Sequence, residues 1–392
     1  MPWLLRFAQD DNLRSNRPPI IPPFHRSPFR RSIVPRSAPL PQRPAYTYIV
    51  SVTDSLGPAP DILVVRFSAI GDILLITPLL RAIRARHRAA RIAVLTKEQY
   101  VPLLSHNPHV SEVLGVGPGE GIRAIAERIR GVRYTHLLDL HGNLRSHALR
   151  RLAPGPWRSH AKRRLQRALL ITAKRDIYGV HTPIAERYFE AATALDVQPD
   201  GGPPDFFIGE EADARAAERL SSLGLGQDRP IVAMVPGAAH ATKRWPAEYW
   251  VDLARRITPT GADVAVLGGP DDAGLAGSIA TLAGTNVASL AGTLGLQETG
   301  AVIRRAEVAI SGDTGVMHMA TGVGTPVVAL FGPTVRQFGF FPYRADAGVV
   351  ELDLPCRPCS AHGSARCPLG HHRCMKQMLP DLVFATLAKA LA

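Results

Sequence analysis

Short apolar runs that stop at glycine- or aspartate-bearing turns, each followed by apolar residues at helical spacing, recur through residues 61–333. They restrict the chain to alternating strands and helices. Ile62-Leu63-Val64-Val65 leads into Ser68-Ala69-Ile70-Gly71-Asp72, and Ile73, Ile76, Leu79, Leu80 and Ile83 then share one helix face. Residues 91–95 read as a second strand, 121–130 as a helix, and 135–140 as a strand ending in His141-Gly142-Asn143. Strands that are apolar throughout and joined through helices belong in a parallel sheet covered on both faces.

The pattern restarts after the Gly/Pro-rich junction Pro199-Asp200-Gly201-Gly202-Pro203-Pro204. Strands at 231–235, 263–267, 308–310 and 327–331 run into Pro236-Gly237, Gly268-Gly269-Pro270, Ser311-Gly312-Asp313 and Gly332-Pro333. The expectation is an α/β fold of two Rossmann-like halves, 61–205 and 206–375, with a ligand cleft between the carboxyl ends of their sheets.

Residues 1–60 hold twelve of the 34 prolines and eight Arg against three Asp. Such a segment buries too little apolar area to offset its ordering entropy, so a disordered extension is expected there. The net charge of +13 points to anionic partners without saying which. No apolar stretch approaches the roughly 20 residues that span a bilayer, and Met1 to Arg14 sustains no secretory apolar core. A cytoplasmic protein is expected.

The strongest local signal is Ser311-Gly312-Asp313-Thr314-Gly315-Val316-Met317-His318. Two glycines admit close backbone approach where a helix begins, and free amides at the positive end of a helix suit a diphosphate. Thr314 and Gly315 would donate; Asp313 would cap the helix or bind a sugar hydroxyl. A buried, merely capped helix is the bland reading, with His318 as a core residue. After Pro236-Gly237, Lys243 could meet the same diphosphate or form a solvated pair with Arg244.

Asp72 opens a helix at the mouth of the first half, either as a dipole partner or as a general base. His141, Asn143 and Arg145 sit at another strand end on that side, placed to contact an acceptor or to cap the next helix. There is no G-x-G-x-x-G after the first strand and no G-x-x-x-x-G-K-[ST] in the chain, which removes most support for a dinucleotide dehydrogenase or a P-loop NTPase.

Cys356, Cys359, Cys367 and Cys374 could close a structural zinc site, remain free thiols, or form disulfides. Between Arg150 and Arg175 lie nine Lys or Arg and no acid, Arg163 and Arg164 among them, with Leu165, Ala168, Leu169 and Ile171 interleaved. A charge run is usually a solvated face; one this asymmetric also suits an anionic membrane or a phosphorylated glycolipid.

Taken in order, Arg66-Phe67-Ser68-Ala69-Ile70-Gly71-Asp72, Asp139-Leu140-His141-Gly142-Asn143-Leu144-Arg145-Ser146, Pro236-Gly237-Ala238 with Lys243-Arg244-Trp245-Pro246, Ser311-Gly312-Asp313-Thr314-Gly315 with His318, and Phe331-Gly332-Pro333-Thr334 resemble glycosyltransferase family 9. These are the heptosyltransferases of the lipopolysaccharide inner core. The resemblance spans roughly residues 61–392 and implies a GT-B architecture with a C-terminal helix, 376–392, crossing back to the first half. It implies an inverting transferase with no catalytic metal, using ADP-heptose as donor and lipid A or heptosylated core as acceptor. It also implies peripheral contact with the inner membrane and no nucleic-acid partner.

Carried over by position, Asp72 is the base; Lys243, Gly237, Gly312, Asp313, Thr314, Gly315, Val316 and His318 bind donor; Leu294 walls adenine; Asp271 or Asp272 meets ribose. Ser68, Gly71, Asn143, Arg145, Arg163 and Arg164 are the expected acceptor contacts. Three readings compete: a family 9 enzyme with an N-acetylglucosamine donor, a zinc- and nucleic-acid-binding protein, and a catalytically silent nucleotide binder.

Overall fold

The structure is a computed structural model and describes residues 59–390; the expected N-terminal extension lies outside the described residues, apart from its last two. The first half carries β1 (Asp61–Val65), α1 (Ile70–Leu74), α2 (Thr77–Arg86), β2 (Arg91–Lys97), β3 (Glu112–Val116), α3 (Ile122–Arg130), β4 (His136–Asp139), α4 (Leu144–Leu152), β5 (Trp157–Ser159), α5 (Arg164–Thr172) and α6 (Ile184–Arg187). The second carries α7 (Glu210–Ser222), β6 (Ile231–Val235), α8 (Ala247–Ile257), β7 (Asp263–Val266), α9 (Ala273–Ala283), β8 (Val287–Ser289), α10 (Leu296–Arg305), β9 (Ala306–Gly312), α11 (Gly315–Val323), β10 (Val327–Phe331), β11 (Ala347–Glu351), α12 (Arg373–Lys376) and α13 (Pro380–Ala390).

The first sheet has the order β3-β2-β1-β4-β5 and the second β11-β10-β9-β6-β7-β8. All pairings are parallel. The chain reverses its direction of travel across the first sheet between β1 and β4, and across the second between β6 and β9. Diverging connections leave a crevice at such points, where open α/β sheets bind ligands. The loops after β1, β4, β6 and β9 carry the motifs singled out in the sequence, so both crevices are furnished with polar groups.

The helix expected from Ile73 to Ile83 is broken in two. Pro78 has no N–H to offer the Leu74 carbonyl, and the Thr77 hydroxyl donates to that carbonyl instead at 2.7 Å. The core strands behave as their composition requires: all five residues of β6 and of β10 are buried. Val232, Met234, Trp250 and Val264 pack on one side of the second sheet.

The last helix corrects an expectation. α13 does not cross back; it packs on α8, β10 and β11 of the second half. Val383 and Leu387, with Met375 and Met378, complete the apolar cluster around Trp245 and Trp250, and the Trp245 indole donates to the Met378 carbonyl at 2.7 Å. That face of the sheet would otherwise expose its large side chains to water.

Candidate active site

The two switch points face one cleft of about 1010 Å³. The two halves approach closely at Gly71 and Gly315. A Cβ on Gly315 would lie 2.6 Å from Ile70 Cβ and 3.0 Å from the Gly71 nitrogen; one on Gly71 would lie 2.5 Å from the His318 ring. Any side chain at either glycine would force α1 and α11 apart, which places the turn bearing Asp72 against the start of α11.

On the first half, Asp72 is held at both oxygens. Arg66 meets Oδ2 at 2.5 Å and the Tyr188 hydroxyl donates to Oδ1 at 3.2 Å. Arg66 is itself fixed by donating to the carbonyls of Ser68 at 2.9 Å and Leu140 at 2.5 Å. Burial alone pushes the Asp72 carboxyl up; the Arg66 charge and the hydrogen bonds from Arg66 and Tyr188 outweigh it and hold the carboxyl below its usual range. Asp72 is therefore an ionised acceptor lining the cleft.

Around it lie groups that local sequence patterns did not single out for the site. His160 stacks edge-on against Tyr188 at 5.0 Å, and burial pushes it down to about 3, so it is neutral. Lys162, depressed to about 8 by burial and then by the Arg66 charge, donates to the His141 carbonyl and lines the cleft with Arg164, Arg167 and Arg187. The charge run was the only signal for Lys162 and Arg167. Tyr188, 116 residues from Asp72 in the chain, had none.

Several expected acceptor contacts are engaged elsewhere. Asn143 caps α4, accepting from the Ser146 N–H at 2.9 Å. Arg145 donates to the Glu120 carbonyl at 2.8 Å and lies over the Phe67 ring, and Arg163 pairs with Glu190 at 2.8 Å. Ser68, Asn143, Arg145 and Arg163 do not line the cleft, whereas Gly71 and Arg164 do. His141 is also off the cleft, edge-on to Phe67, and pushed down to about 4 chiefly by burial.

On the second half, Lys243 Nζ lies 2.7 Å from Asp313 Oδ2 and donates to the Asp313 carbonyl at 3.2 Å. The Thr334 hydroxyl donates to the same carboxylate at 2.6 Å. Asp313 is thus not the helix cap; Thr314 occupies that position, and its side chain makes no capping bond. The first amides of α11 are left to a ligand. Gly237, Asp271, Thr314, Gly315, Val316 and His318 line the cleft.

Gly237 lies against the Asp272 carboxylate, which a Cβ there would displace. Gly312 is buried inside β9 and Leu294 packs against the main core, so neither reaches the cleft as expected. His318 is buried, its Nδ1 lacks a partner, and burial pushes it down to about 4.

The four cysteines are free. Burial raises the Cys359 thiol and pushes Cys374 up to about 11. Among the described residues no three His, Cys, Asp or Glu side chains are grouped to hold an ion, so a structural zinc site, one of the three possibilities, finds no support.

A family model described as glycosyltransferase family 9 (heptosyltransferase) matches residues 122–369. Lipopolysaccharide heptosyltransferase 2 of Salmonella typhimurium is 27% identical over 348 residues, covering 84% of this chain and 98% of that relative. Among solved structures, a glycosyl transferase family 9 protein from Veillonella parvula superposes with a TM-score of 0.65 at 26% identity, covering 74% of this chain and 85% of that one. ADP-heptose lps heptosyltransferase II of E. coli gives 0.66 at 24% identity, covering 84% and 98%.

Proposed function

The chain belongs to glycosyltransferase family 9, and on that premise we propose that it transfers heptose from ADP-L-glycero-D-manno-heptose to the lipopolysaccharide inner core, with inversion. One observation carries the mechanism: an ionised carboxylate at Asp72 adjoins the unfilled amides of Thr314 and Gly315 across a glycine-to-glycine contact. A base and an anion cradle are thereby set side by side.

The acceptor hydroxyl attacks the anomeric carbon of the bound sugar. Its oxygen forms the new glycosidic bond, the bond from that carbon to the β-phosphate oxygen breaks, and ADP leaves with the electron pair. Asp72 accepts the hydroxyl proton, with Arg66 and Tyr188 fixing its orientation. The α11 amides and Lys243 stabilise the charge building on the diphosphate. Lys243 must exchange its bond to Asp313 for the phosphate, or bridge both. Asp271 or Asp272, both lining the cleft, would meet ribose hydroxyls, and Lys162, Arg164 and Arg167 would meet the acceptor.

The acceptor is lipid-borne, and no helix among the described residues is long and apolar enough to cross a membrane. Action as a cytoplasmic protein at the inner face of the inner membrane follows from the proposal. The decisive assay supplies Kdo-lipid A or heptosylated core with ADP-heptose, and separately with UDP-N-acetylglucosamine, and measures nucleoside diphosphate release. ADP release with a β-to-α change at the donor carbon, or its mirror, supports the reading. Turnover only with the UDP sugar overturns the donor assignment.

A further inference from the structure

α5 buries Leu170 and half-buries Leu169 and Ile171, but turns Leu165, 66% exposed, and Ala168 to solvent. Arg164 and Lys162 donate to the carbonyls of Gly142 and His141, which brings the start of α5 against the turn before α4, where Leu144 is 88% exposed. At its other side Leu170 packs with Tyr178, in a segment where Ile177 and Val180 are 43% and 80% exposed. Single exposed apolar residues need no explanation; four around one short helix do.

The setting is cationic. Of the nine Lys and Arg between Arg150 and Arg175, Arg150 and Arg163 approach a carboxylate and the other seven have no such partner among the described residues. Lys162, Arg164, Arg167 and Tyr178 line the cleft, so this surface is its rim.

We propose that the rim formed by α5, Leu144 and the Ile177–Val180 loop is the surface on which the enzyme sits on an anionic phospholipid bilayer, with Leu165, Leu144, Ile177 and Val180 entering the headgroup boundary. Exposed apolar side chains set among unpaired arginines are the composition that lies in a membrane interface, and anionic headgroups supply the complementary charge. Docked so, the acceptor side of the cleft opens at headgroup height, where the sugars of a lipid-anchored acceptor stand. This rests on the lipid-borne acceptor proposed above, but vesicle binding tests it without donor or acceptor, so the two readings fail separately.

The test is co-sedimentation of the full chain with vesicles of phosphatidylcholine, and of phosphatidylcholine mixed with phosphatidylglycerol. The mixed vesicles should bind about tenfold or more tightly. The double variant Leu165→Glu/Val180→Glu should lose about tenfold or more on mixed vesicles, Arg175→Gln about fivefold, and Leu165→Phe/Val180→Leu should bind as the parent does. All carry the same residues 1–58, whose charge contributes equally. The Glu variant should also keep its turnover on a deacylated, water-soluble acceptor and lose it on a vesicle-embedded one. Equal binding to both vesicle types, no effect of the Glu pair, or an equal loss on both acceptors would overturn the assignment.

Discussion

The Arg66 guanidinium stands 2.5 Å from the Asp72 carboxylate while the Tyr188 hydroxyl reaches its other oxygen at 3.2 Å. A carboxyl whose folded value is depressed stays ionised until the pH falls through that lowered value. The acid limb of kcat/KM should therefore lie below the usual carboxylate range near 4. Tyr188→Phe removes one stabilising donor and should move that limb upward by about half a unit or more. A limb that does not move would show that Tyr188 leaves the base untouched.

Asp72→Asn separates two roles. A carboxylate that only complements a helix end contributes about 0.3–1 kcal/mol of stability. A general base contributes roughly 10²–10⁴-fold in rate. The expected result is a melting temperature within a few degrees of wild type, retained ADP-heptose affinity, and at least about a hundredfold loss of transfer. Because Asn also leaves Arg66 without its counter-charge, folding should be checked by circular dichroism at the assay temperature.

Lys243→Ala should weaken ADP-heptose binding by about 1.5–3 kcal/mol in calorimetry, the scale of a charged hydrogen bond. Asp313, nearly buried, keeps only Thr334 as a side-chain partner in that variant. Some loss of melting temperature is expected as well. An unchanged dissociation constant would remove Lys243 from the phosphate site.

Lys162 loses its charge above about 8, because burial and the nearby Arg66 disfavour the ammonium. The acceptor KM should therefore rise about fivefold between neutral pH and roughly pH 9, with little change in kcat. Lys162→Arg, which stays charged there, should abolish the rise. A KM that rises equally in both proteins would assign the effect to another group.

Gly315→Ala is expected to cost about 1–3 kcal/mol, the range for forcing atoms into a packed contact, since its Cβ would meet Ile70 Cβ at 2.6 Å. Gly277→Ala in α9 is the control. Nothing lies within 4 Å of its added Cβ, and the gain in helix propensity should stabilise by up to about 1 kcal/mol. Denaturant melts of the pair measure both, and equal effects would mean that the α1–α11 contact is not tight.

Much of this was readable from the chain because the loops at both switch points follow buried strands. β6 and β10 announce themselves by uninterrupted apolar residues and β1 and β9 by short apolar cores, and Asp72, Lys243 and Thr314 stand in the segments that follow β1, β6 and β9. The edge strands β3, β5, β8 and β11 were not readable, since they are short, half-exposed and carry no clean pattern. Tyr188 and His160 reach Asp72 only through the fold, because the segments bearing them are short and locally unremarkable. Asn143 and Arg145 are engaged elsewhere for the opposite reason: residues at a strand end are placed equally well to hold local structure, and Asn143 caps α4 while Arg145 ties it to the Glu120 carbonyl.

The return of α13 to its own sheet leaves the halves joined by a single thread. The Asp205 N–H donates to the Thr77 hydroxyl of the first half, and the very next N–H, that of Phe206, donates to the Gly322 carbonyl of the second. Cutting the chain at that peptide bond would sever no strand pairing and leave each fragment in possession of a whole sheet. The enzyme is thus built to be divided. Two separately expressed fragments, each mute because one owns Asp72 and the other Lys243 and Thr314, would regain transfer only on reassociating through the α1–α11 face, which makes the protein a natural complementation pair.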